Sequence, residues 1–156
     1  MTAPTPLTGT STFRLMPTDD FASGPSSATI SGVGGALVLA YTWVHPADGD
    51  QHGHLLVGAP STDSDAVTAA WSDSWHQQPD LLILTGTRAA DGAQLAATYM
   101  GDWGWQIDLD DLTGEAPMMT MRNVIPESAL ADAPADMPKQ AGPYAVMVAH
   151  WAPAPA

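Results

Sequence analysis

The groups most able to do chemistry gather in two short stretches. Trp71-Ser72-Asp73-Ser74-Trp75-His76 sets a carboxylate between two indoles and ends on an imidazole, while His45, His52 and His54 flank another segment. In an extended chain residues two apart share a face, so Trp71, Asp73 and Trp75 point the same way. A carboxylate among indoles requires water or a hydrogen-bond donor, and the donors at hand are an indole N–H, a tyrosine hydroxyl or Arg122. Two readings are open: a buried polar network that fixes the fold, or a carboxylate that meets a ligand. For an enzyme built here, Asp73 or His76 is the acid/base candidate.

Arg122 leaves a similar choice. Facing inward, its guanidinium fork fits Asp73 or the carboxylate of a fatty-acid-like ligand; facing outward, it is a surface residue, and the alternation around it does not decide. A His-x-His pair opposite His45 has zinc-ligand types, yet histidines at a loop end are as a rule solvated, and Gly58 stands four positions after His54 where an acidic ligand would be needed. No metal and no cofactor is expected. Ser72, Ser74 and His76 alternate as a polar outer face would, and neither a Gly-x-Ser-x-Gly elbow nor a Ser-Lys pair occurs. Gly32-Val33-Gly34-Gly35 has no helix after it to receive a phosphate.

Positioning these groups falls to strands. Turn signals recur every eight to twelve residues, and the stretches between them are rich in Val, Ile, Thr, Trp and Tyr. The spacing predicts ten strands, at 10–16, 28–33, 36–45, 52–59, 67–75, 81–88, 93–100, 103–109, 118–125 and 144–151. Leu37, Leu39, Tyr41 and Trp43 share one face of the third, and Trp103, Trp105, Ile107 and Leu109 one face of the eighth. Connections carrying Gly34-Gly35, Asp48-Gly49, Asp91-Gly92, Gly101-Asp102 and Thr113-Gly114 are short, so neighbours run antiparallel. The expected fold is all-β, an antiparallel up-and-down barrel of about ten strands, since closure removes exposed edges. One domain is expected over 10–152, with flexible tails at 1–9 and 153–156. The long connection 126–143 contains Pro134 and Pro138, with weak helical character at 128–132; it is either a lid or slack chain.

The whole chain narrows the partners. A net charge of -13 repels phosphate backbones and anionic headgroups, so neither nucleic acid nor a membrane is expected. The N-terminal stretch has no basic region followed by an apolar one, and the expectation is a cytoplasmic protein, monomeric or homodimeric. There is no cysteine to act as nucleophile or soft ligand.

Three stretches carry a family likeness: His52-Gly53-His54-Leu55-Leu56-Val57-Gly58, Trp71 to His76, and Trp103-Gly104-Trp105-Gln106-Ile107-Asp108 with Met121 to Glu127. Together they resemble a bacterial family of lipocalin-like (calycin) domains of unknown function, related to nitrobindin and the fatty-acid-binding proteins. The likeness spans roughly 35–126 and implies a calycin barrel with a central cavity. It also implies a haem-ligand position late in the last strand, where His150 stands between Ala149 and Trp151; those neighbours depart from the nitrobindin pattern.

The expected function is the binding of a hydrophobic or aromatic small molecule by Tyr41, Trp43, Trp71, Asp73, Trp75, Tyr99, Trp103, Trp105 and Arg122. Alternatives are an isomerase- or cyclase-type enzyme in the same pocket and a haem-binding, nitrobindin-like protein.

Overall fold

Alternation of apolar and polar side chains, broken by glycine-bearing turns, resolves into ten strands. The computed structural model describes residues 4–131, 133–134 and 138–154. Its strands are β1 (Thr5–Phe13), β2 (Ala22–Val33), β3 (Ala36–His45), β4 (Gly49–Val57), β5 (Ala66–Asp73), β6 (Gln77–Arg88), β7 (Ala93–Tyr99), β8 (Trp103–Asp110), β9 (Met118–Ile125) and β10 (Gly142–Pro153). Each pairs antiparallel with the next and β1 pairs with β10, giving the closed up-and-down barrel of a calycin-like fold. Among the described residues no helix is long and apolar enough to cross a membrane.

Period-two patterning fixes which face is inside. In β3, Leu37, Leu39, Tyr41 and Trp43 are buried as expected; in β4, Gln51, Gly53, Leu55 and Val57 point in, while Asp50, His52, His54 and Leu56 point out. Gly34 and Gly35 take φ of +58° and +85°, the left-handed backbone that a tight β2–β3 hairpin requires.

The barrel has two unlike ends. The base carries the β2–β3, β4–β5, β6–β7 and β8–β9 turns and the first and last described residues. Towards it lie Leu39, Leu55, Val57, Leu84, Ile107 and Met119, all wholly buried, each contributing about 1.5 to 3 kcal/mol by leaving water. The mouth carries the other connections, including the Trp75 and His76 turn and the segment after β9. That segment begins with a short 3-10 helix, Glu127–Leu130. The helical stretch predicted for 128–132 overlaps it; Asp132 and 135–137 lie outside the described residues.

The strand ends differ from expectation where pairing overrides composition. Residues 5–9, expected to form a tail, belong to β1, and Pro153 belongs to β10, because closure sets Leu7 opposite Pro153. β2 starts at Ala22 rather than at 28, and Pro25 within it lies opposite Thr10. Its missing N–H costs nothing there, since the β2–β3 ladder begins only at Ser27.

Closure is incomplete at one seam. The β6–β7 ladder runs only from Thr85 opposite Ala96 to Arg88 opposite Ala93, so towards the mouth the two strands part. On its other side β6 leaves register with β5 between Trp71 and Asp73, and Pro79 falls in that irregularity.

Candidate ligand site at the barrel mouth

Asp73, the last residue of β5, is 1 % exposed and organises everything around it. Its Oδ2 accepts the Tyr41 hydroxyl at 2.7 Å and the Trp43 indole N–H at 3.1 Å. Its Oδ1 accepts the backbone N–H groups of Trp75 and His76, both at 2.9 Å, closing the turn that leaves β5. The His76 imidazole Nδ1 adds a contact at 3.2 Å. Tyr41 in turn accepts the Trp71 indole N–H at 2.8 Å. Burial by itself raises the Asp73 carboxyl; the hydrogen bond and charge of His76, with the amides of His76 and Trp75, outweigh it and hold the group at about 2, below the ordinary 3.8. Burial, and then the Asp73 charge, push the Tyr41 hydroxyl well above its usual 10.

Gly53 makes this network possible. Register sets Tyr41 opposite Gly53 and Gly53 opposite Asp73, so the tyrosine must reach across β4 to its acceptor. A Cβ at Gly53 would lie 2.2 Å from the tyrosine hydroxyl, inside contact distance. The glycine between His52 and His54 is thus the space in which the Tyr41 ring lies.

His76 follows β5 yet turns inward, its side chain 4 % exposed. Its ring stacks on Trp43 with centroids 4.9 Å apart and lies 5.3 Å from Trp105, which itself stacks on Trp71 at 5.2 Å. A carboxylate only accepts, so Nδ1 carries a proton towards Asp73, and in the neutral imidazole Nε2 is then the acceptor. That Nε2 and the Trp105 indole Nε1 are buried, and among the described residues neither has a hydrogen-bond partner. Such groups ordinarily cost about 1 to 3 kcal/mol each when left unmet.

Two pockets flank this pair. One, of about 190 Å³, opens at the mouth between Phe13, Trp75, Tyr99, Asn123 and Tyr144; the other, of about 70 Å³, lies between Trp71, Gln77, Leu82 and Tyr99. His76, Tyr99 and Trp105 line both and form the partition between them. The smaller pocket takes walls from β6 at Leu82 and β7 at Tyr99, the strands that part at the seam. Tyr99 donates to Asn123 at 2.7 Å, and burial followed by the nearby Tyr144 raises its hydroxyl above the usual 10. A larger depression of about 380 Å³ at the base has Arg88 as its one ionisable lining residue, and Arg88 donates to the Gly35 and Gly58 carbonyls.

The expected site residues fall into three sets. Tyr41, Trp43, Trp71 and Asp73 meet as one network, with tyrosine and indole donors serving the carboxylate as its composition requires. Trp75, Tyr99 and Trp105 line the mouth pocket. Trp103 and Arg122 do not belong. Trp103 is half-buried at the start of β8 and makes no ring contact among the described residues. Arg122 faces outward, paired with Asp108 rather than Asp73, because the inward positions of β9 are Met119, Met121 and Asn123.

The histidines also part company. His52 and His54 are exposed on the outer face of β4, whereas His45 is buried on the inner side, its ring stacked on Trp75 at 4.6 Å. They cannot share an ion, and among the described residues no three His, Asp or Glu side chains gather as a metal site. The His45 Nδ1 meets the backbone N–H groups of Ala47 and Asp48 at 3.2 and 3.0 Å and lies 3.0 Å from the Asp48 carboxylate, so it is engaged within its own turn. His150 is exposed on the outside of β10 and cannot reach the interior as a haem ligand. Sequence pattern alone misses Phe13, Asn123 and Tyr144 and leaves His76 between a polar outer face and an acid/base role in the pocket. A polar residue facing in from strand β9, and a histidine folded back by an Asx turn, leave no period-two signal.

The class defined by this geometry is a closed, side-chain-filled barrel with a small aromatic site at one end. No known family pattern matches the sequence, and no curated protein matches it.

Proposed function

We propose that the protein binds a small, largely apolar molecule of about one ring at the mouth of its barrel. The observation that carries this reading is the pair of unmet polar atoms, His76 Nε2 and Trp105 Nε1, buried in the partition between two aromatic-lined pockets. Buried polar atoms are as a rule partnered by protein, water or ligand. The pocket of about 190 Å³ is smaller than the 300 Å³ or so at which drug-sized sites begin, which favours one ring over a fatty acid or porphyrin. A second reading, an isomerase-type enzyme, draws on the Asp73–His76 contact, since an imidazole held by a carboxylate is a fitting general base.

Because Trp75 and Trp105 line the pocket, an occupant changes indole emission. Titration with toluene and with 4-nitroanisole, followed by fluorescence and by melting temperature, should give saturable quenching and a concentration-dependent rise in Tm. Absence of both responses at millimolar probe, with the protein folded, would remove the reading.

A further inference from the structure

The two unmet atoms specify more than a hydrophobic seat. Trp105 Nε1 only donates, and in the neutral imidazole, with its proton on Nδ1 beside Asp73, His76 Nε2 only accepts. A carboxylate can satisfy the indole and leaves the imidazole unmet; an ammonium does the reverse; an ether oxygen meets the indole alone. A hydroxyl serves both, accepting through oxygen and donating through its proton. The two rings lie side by side with centroids 5.3 Å apart.

We propose that the mouth site, on the small-ligand reading above, is specific for a hydroxylated aromatic ring, with the hydroxyl bridging Trp105 Nε1 and His76 Nε2. The ring of such a phenol lies against Trp75, Phe13 and Tyr99 in the larger pocket. Its hydroxyl enters the partition, where a small separation of His76 from Trp105 joins the two pockets and uncovers both atoms. The seam between β6 and β7 gives that movement its freedom, because Leu82 and Tyr99 on its two sides are not tied by a backbone ladder. Asp73 is a positioning residue: in the neutral imidazole it fixes the proton on Nδ1, which makes Nε2 the acceptor.

The test compares 4-methylphenol, 4-methylanisole and 1,4-dimethylbenzene, which differ at one substituent, by dissociation constant on the whole chain. On the wild-type protein the phenol should bind about ten- to a hundredfold more tightly than the other two, the loss expected when a buried donor or acceptor goes unmet. Trp105→Phe keeps an aromatic ring and removes only the donor; His76→Phe removes the acceptor. In each, the preference for the phenol should fall to within about threefold while the apolar probes still bind. Equal affinity of the three probes for the wild-type protein overturns the hydroxyl assignment and leaves the apolar pocket standing. Failure of all three to bind overturns both. The wild-type comparison needs no variant, so it decides the assignment even where a substituted chain does not fold.

Discussion

At the base of the barrel, Leu39, Leu55, Leu84, Ile107 and Met119 are wholly buried and need nothing of one another but volume. At the mouth, Tyr41, Trp43, Trp71, Asp73 and His76 are also buried, but each side-chain polar atom except His76 Nε2 has a particular partner. The same ten strands pass through both regions. The difference lies in what the inward positions carry: non-directional packing stabilises one half, and a directional network around a single carboxylate holds the other. Packing can be rearranged at modest cost, whereas a network loses its function with one member. It follows that the base supplies stability and the mouth supplies specificity.

The largest effect should come from Asp73→Asn, which turns an acceptor for two side-chain donors or three N–H groups into an amide that opposes at least some of them. A loss of about 3 to 5 kcal/mol is expected, read from the midpoint of denaturant unfolding. The same pair of proteins reports on charge. The folded carboxyl at about 2 lies below the unfolded 3.8, so its contribution is complete above the unfolded value and disappears as pH falls through the folded one. The gap between wild type and Asp73→Asn should therefore shrink by about 2 kcal/mol between pH 5 and pH 2. A gap independent of pH would mean that the carboxylate is not held as described.

Gly53→Ala should cost about 1 to 3 kcal/mol, because the new methyl displaces the Tyr41 ring and with it the hydroxyl bonded to Asp73. Circular dichroism in the near ultraviolet should change along with stability, since Trp43 and Trp71 share that network. The smallest effect belongs to the base: Met119→Leu, though wholly buried, should cost less than about 1.5 kcal/mol. A base substitution as damaging as Asp73→Asn would erase the distinction between the two halves.

Much of the fold can be read from residue order. Glycine-marked turns and period-two strands such as β3 and β9 coincide with prediction to the residue, because each strand has a buried face that its own sequence states. What escapes such a reading is set by partners distant in sequence. The 5–9 and 22–26 stretches carry no strand signal of their own and are extended because β10 and β1 pair with them. The site is partly legible: a carboxylate between indoles demands donors, and tyrosine and indole supply them. Arg122 is ambiguous in sequence because its neighbours Met121 and Asn123 are apolar and polar by turns, and only register shows Arg122 opposite Gln106 with Asp108 at hand. Alternation continued past Asp73 puts His76 outside, although the chain has already turned there.

Pairing of the first strand with the last has a practical side. Leu7 stands opposite Pro153, and the Ala154 amide donates to the Pro6 carbonyl at 3.1 Å, so the described chain starts and stops at neighbouring points on the base. A short linker can join those points, and the ring of strands can then be cut at a turn instead, yielding circular permutants of the same barrel. Cargo, label or surface attachment fused at either end leaves from the pole opposite the aromatic pocket. The barrel can thus be tethered from below with its recognising face left clear.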